Sequence, residues 1–210
     1  FVKILERDKN CISFGGIFGN YDLYINYIFK DERELNEYIT NLTSKKESEI
    51  SDYHILRPYF SELYPLKMFN HPYRENFLVV GNEVEKVKMD STDKEILSLL
   101  AEDGRIRLID IATKLNMSSE LALYKIKRLK KEGVILGSRI QFNMEKFGYH
   151  FSEILLNFRN FSEENKTKLK KLASTSKHIN SLMFYLMKPN CIIQIFHKDV
   201  LFSFSANGVL

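Results

Sequence analysis

Apolar and polar positions alternate along this 210-residue chain in three distinct textures. In the first, Leu23, Ile25, Tyr27 and Phe29 fall on one side of a period-two pattern and Tyr24, Asn26 and Ile28 on the other, which predicts a strand. Asp31 follows as a helix N-cap, with Glu34 three positions on as its capping-box partner, and the helix is expected to run to about Ser44. Leu35, Tyr38, Ile39 and Leu42 sit at i, i+3, i+4 and i+7 and give that helix one apolar face. Residues 50–85 carry Pro58, Pro65 and Pro72 among aromatics. A strand over 53–56 is expected there, and the prolines argue against a long helix or a central strand after it. This stretch reads as a packed connector ending in the apolar run 77–80.

Residues 86–148 are the most legible. Asp90 or Ser91 caps a first helix whose apolar positions are Ile96, Leu97, Leu99 and Leu100, and Gly104 ends it. Leu108, Ile111, Ala112 and Leu115 give a short second helix. Asn116 and Met117 form a tight turn, since Asn tolerates left-handed backbone. Ser118 caps a third helix ending before Gly133, with Ala122, Ile126 and Leu129 facing inward. Residues 134–142, with Gly137 and Ser138, predict a β-hairpin wing. Beyond it, the pattern predicts a strand over 150–158, a helix over 162–174 opening on Ser162, Glu163 and Glu164, and further strand to about Phe196.

The two flanks resemble each other. A shift of 168 lays residues 1–31 on 169–199 without a gap, and Lys3, Lys9, Ser13, Ile25, Lys30 and Asp31 fall on identical residues. A chain of this length then holds about one and a quarter repeats. Both flanks are expected to be incomplete α+β domains, with boundaries at 1–85, 86–148 and 149–210.

Composition narrows the class. Hydrophobic residues make up 44% and charged residues 28%, the balance of a folded globular chain. No apolar run approaches the roughly 20 residues that span a bilayer. Two cysteines, Cys11 and Cys191, are too few for a disulfide framework, so a reduced, cytoplasmic setting is expected and both read as small buried hydrophobes. The chain opens on Phe1, and is expected to start inside a longer protein.

Net charge is +4, and its placement matters more than its size. Residues 118–140 hold six basic side chains (Lys125, Lys127, Arg128, Lys130, Lys131, Arg139) against Glu120 and Glu132, so that segment alone carries 6 − 2 = +4. A localised basic patch points to a polyanion. Three helices with a short second turn and a wing make a winged helix-turn-helix, whose third helix fits the major groove of double-stranded DNA. Glu120, Tyr124, Lys127, Arg128 and Lys131 are expected on its outer face. Ser118 and Ser119 offer hydroxyls and N–H groups to phosphate, Arg105 and Arg107 precede the second helix, and Arg139 lies on the wing.

Other chemistry has little support. The run 15–19 is glycine-rich but lacks the spacing of a phosphate loop, and reads instead as a strand and turn needing close backbone approach. The five histidines show no ligand spacing, so no metal or cofactor is expected. No nucleophile elbow or Cys–His constellation is present, and no catalytic residue is assigned. Phe14, Phe18, Tyr21, Tyr24, Tyr27 and Phe29 read as core or interface rather than RNA-stacking residues.

The runs 89–97, 102–105, 111–112, 115–118 and 126–135, closed by 146–149, resemble the DNA-binding domain of the Lrp/AsnC (feast/famine) transcription regulators. The flanks are similar to that family's ferredoxin-like βαββαβ effector-sensing domain, and Gly19, Asn20, Tyr21 and Asp22 to its ligand and assembly loop. The resemblance implies a tandem α+β regulator: a central winged helix between two incomplete sensor domains, self-associating as a dimer or higher oligomer, with a small effector such as an amino acid. Two departures stand out. Glu120, Leu121 and Leu123 occupy the part of the third helix where the family usually has Ser or Thr and a basic residue, and Lys188, Pro189 and Asn190 stand where the first flank has Asn20, Tyr21 and Asp22. The same architecture also occurs in siroheme decarboxylases, so a tetrapyrrole enzyme is one alternative. An assembly partner without DNA affinity is another.

Overall fold

The computed structural model describes residues 1–17, 19–46, 49–67, 78–81, 86–138, 140 and 142–198. They fall into two compact units that divide between Ile55 and Leu56.

The first unit contains α1 (Val2–Leu5), β1 (Cys11–Gly16), β2 (Leu23–Tyr27) and α2 (Glu32–Lys45). The Asp31 carboxylate accepts the Glu34 N–H at 3.0 Å, the cap expected of it, but Glu34 reaches back to the N–H of Lys30 rather than of Asp31. Along α2 the apolar stripe brings Tyr38 against Tyr27 and Phe29, with ring centroids 5.0 and 5.2 Å away. The Tyr38 hydroxyl donates to the Asp8 carboxylate and lies 2.9 Å from the Tyr27 hydroxyl, and burial pushes both phenols above their ordinary range. Gly15 permits a close approach: a Cβ there would lie 2.6 Å from the Tyr24 ring. Cys11 is only half-buried, unlike Cys191 in the second unit.

The second unit holds β3 (Pro58–Leu63), β4 (Leu78–Val80), three helices, and then β5 (His150–Leu156), α6 (Glu163–Thr175), β6 (Ile179–Tyr185) and β7 (Cys191–His197). Its five strands form one antiparallel sheet in the order β4-β3-β6-β7-β5. The run β5-α6-β6-β7 is the front of a ferredoxin-like βαββ pattern. Leu182, Phe184, Cys191, Ile193 and Ile195 pack with Ala173 of α6, the leucine, phenylalanine and isoleucines each contributing about 1.5–3 kcal/mol for full burial.

Two expectations fail here. No strand covers 53–56, and the connector does not stay with the first flank: β3 lies inside the sheet, between β4 and β6. Pro58 does not prevent this because it is the first residue of its strand, where a missing N–H is tolerated. The chain therefore divides at 55/56 rather than at 85/86. After β4, Gly81 has φ +111°, and a Cβ would sit 2.5 Å from the Tyr59 carbonyl oxygen. Gly81→Ala is expected to cost about 1–3 kcal/mol in urea denaturation, from left-handed strain and that clash together.

The internal repeat is carried by the backbone. Adding 168 to the register of β1 on β2 (Cys11 on Tyr27, Ser13 on Asn26, Phe14 on Ile25, Gly15 on Tyr24, Gly16 on Leu23) gives the register of β6 on β7, pair for pair. The irregularity between Cys11 and Ser13 falls on that between Ile179 and Ser181.

Candidate nucleic-acid interface

Three helices, α3 (Ser91–Glu102), α4 (Leu108–Lys114) and α5 (Ser119–Lys131), close on Ile96, Ile111, Ala112 and Ala122, all at most 2% exposed. Their ends are set by local chemistry. Asp90 and Asp93 form a reciprocal capping box on α3, with N–H to carboxylate distances of 2.8 and 3.0 Å. The Ser118 hydroxyl accepts the Leu121 N–H at 3.2 Å at the start of α5. At the helix-turn-helix corner Asn116 takes φ +51°, and Met117 N–H reaches the Ala112 carbonyl at 2.9 Å. Gly133, at φ +72°, stops α5 in the same way, with Val134 N–H on the Leu129 carbonyl at 2.9 Å. These stops fix both the start and the direction of α5.

A second set of contacts fixes its rotation. The Asp93 side chain is fully buried, and both Lys125 and Arg128 of α5 reach it, Lys125 at 3.1 Å. Lys125 also meets Asp90 at 2.6 Å, and Arg128 meets Glu132 at 3.7 Å. Burial pushes the Asp93 carboxyl up, but the Asp90 N–H and the two cations outweigh it and hold it below the usual range. The hydrogen bond from Lys125 lowers Asp90 likewise and raises Lys125 in return.

The predicted DNA-facing residues therefore separate. Tyr124, Lys127 and Lys131 are exposed along the outer stripe of α5. Neither lysine joins a salt bridge among the described residues. Ser118 is exposed and Ser119 half-buried at the N-terminus of α5, and Arg105 is exposed before α4. Arg128 instead turns toward Asp93, and Arg107 pairs with Asp110 at 2.7 Å. A helical wheel puts Arg128 on a flank of the outward stripe, and the wheel alone does not reveal a carboxylate 35 positions away. Arg139 lies outside the described residues, and the described part of 134–142 forms no strand, so the predicted hairpin wing is not seen there. Glu120 is held below its ordinary range by its own N–H and the Ser118 hydroxyl.

In the first unit Gly19, Asn20, Tyr21 and Asp22 make the turn between β1 and β2, with Gly19 at φ +149° and the Asp22 carbonyl accepting the Ile17 N–H at 3.0 Å. Tyr21 lies against His54, centroids 5.4 Å apart. A cavity of about 360 Å³ in this unit is lined by other residues, among them Leu5, Asp8, Cys11 and Phe14. Among the described residues no cluster of His, Cys, Asp or Glu could hold a metal, and no helix is long and apolar enough to cross a membrane.

Residues 89–135 match a family model described as winged helix-turn-helix DNA-binding. An uncharacterised HTH-type transcriptional regulator of Pyrococcus furiosus is 41% identical over 69 residues, covering 33% of this chain and 47% of that protein. A leucine-responsive regulatory protein of Rhizobium meliloti is 35% identical over 66 residues, covering 31% and 42%. The chain thus spans about half the length of the curated relatives it matches. Among solved structures, AsnC of E. coli aligns with a TM-score of 0.47 at 19% identity, over 54% of this chain and 76% of that one.

Proposed function

From a central winged helix-turn-helix domain of the Lrp/AsnC type, we propose that the chain is a transcription regulator that binds double-stranded DNA through α5. The observation that carries this reading is the outer stripe of α5. Tyr124, Lys127 and Lys131 point away from a core that fixes the helix at both ends and in rotation. Lysines there neutralise phosphates and release counterions, Tyr124 can donate to a phosphate oxygen, and Ser118 and Ser119 present N–H groups and hydroxyls at the positive end of α5. Arg105 reaches the backbone beside them. Arg128 and Arg107, held by carboxylates, position the helices rather than contact DNA.

The α+β flanks serve for pairing and sensing under this reading. One recognition helix covers little DNA, and two half-sites bound by a dimer multiply affinity. The turn Gly19–Asn20–Tyr21–Asp22 is the effector loop, with an amino acid as the effector class. The chain carries no reaction of its own in this account.

Binding to a mixed-sequence duplex, titrated with salt, tests the reading. Log K should fall linearly with log salt at a slope of about −0.9 per phosphate neutralised. A chain that binds no duplex at low salt would end it.

A further inference from the structure

The end of α5 that would enter the groove has an unusual set of exposed side chains. Over residues 118–124 there is no Arg, Lys, Asn or Gln, the residues that read guanine and adenine edges. Leu121 is 44% exposed, Leu123 40% and Tyr124 63%, while the inward position between them, Ala122, is fully buried. Lys125, the first cation of α5, is held by Asp90 and Asp93, and the exposed cations begin at Lys127 and continue with Lys130 and Lys131.

We propose that Leu121 and Leu123 read the 5-methyl groups of thymine in the major groove, so that the chain selects its sites by apolar contact rather than by hydrogen bonds to purines. The inference rests on the reading of α5 as a DNA-binding helix and deepens it. An apolar side chain on a groove-facing helix has one complementary feature on a base edge, the thymine methyl. The recognition helix of this motif contacts bases with its N-terminal residues, which are these. The lysines one turn further on supply the complementary charge that holds such a surface against a polyanion rather than against an apolar protein patch. The two leucines lie on either side of the outward stripe.

A random-core duplex pool, enriched on the intact chain, supplies the probe. The enriched duplexes are then resynthesised with deoxyuridine in place of thymidine, which removes only the methyl. The thymidine duplexes are expected to bind more tightly by roughly fourfold per methyl buried. In Leu121→Ala/Leu123→Ala that ratio should fall to about one, whereas Lys127→Ala should weaken both duplexes and keep it. If no duplex is enriched, the DNA-binding reading itself fails. If duplexes are enriched but bind equally with and without the methyl, or if the double variant keeps the preference, DNA binding stands and the thymine reading is overturned. A double variant that changes oligomeric mass while leaving both affinities unchanged assigns the leucines to a protein contact and also overturns it.

Discussion

Asp93→Asn should lower the stability of the second unit by about 3 kcal/mol at neutral pH, with an unfolding midpoint roughly 10 °C lower. Its carboxylate is fully buried between α3 and α5 and carries three tasks: it closes the capping box on α3, and it faces both Lys125 and Arg128. Asparagine keeps the shape and part of the cap but leaves two cations facing an uncharged group. Removing one member of a buried ion group costs more than the group contributes net, because the remaining charges stay partly desolvated, Lys125 with Asp90 alone and Arg128 with the more distant Glu132. The pH dependence follows from the depressed acidity of Asp93. A carboxyl lowered in the folded state adds stability that is fully present above its unfolded value of about 3.9 and is lost as pH falls through its folded value. The gap between the parent chain and Asp93→Asn in urea denaturation should therefore be widest near neutrality and narrow below pH of about 4. A gap that stays constant with pH would show that the carboxylate acts through shape alone.

Removing the outward lysines should have the largest effect on binding. Lys127→Ala/Lys131→Ala is expected to weaken duplex binding by roughly ten- to a hundredfold at low salt, about equally for all sequences. The salt slope should become shallower by about 1.8, that is 0.9 for each phosphate no longer neutralised. Both residues are exposed and outside the salt bridges of the described residues, so the urea midpoint should hardly move. Fluorescence anisotropy at several salt concentrations measures the slope directly. An unchanged slope would mean that this stripe does not face phosphate.

What the sequence revealed divides along physical lines. Asp31 and Ser118 cap the helices they were expected to cap, Asp90 rather than Ser91 caps α3, and Asn116 takes the left-handed turn. A cap depends on a side chain and an N–H three residues away, so it is written locally. The core positions Ala122 and Leu129 followed from helical period for the same reason. Two of the misreadings are long-range. Pairing of Pro58 with Tyr185 joins residues 127 positions apart, and nothing near Pro58 signals which sheet it enters. The role of Arg128 depends on a carboxylate in another helix. The pattern over 134–142 alternates only loosely, too little to fix strands on its own.

The matched hairpins allow the flanks to diverge in one respect without disturbing another. Few side chains are shared across the shift of 168, yet every paired position and the bulge coincide. The strands thus form a fixed socket, and the turn around Asn20–Tyr21–Asp22 and its counterpart around Lys188–Pro189–Asn190 are cassettes plugged into equivalent stems. Swapping one cassette for the other would transfer its chemistry between flanks while leaving the pleats that carry it in step.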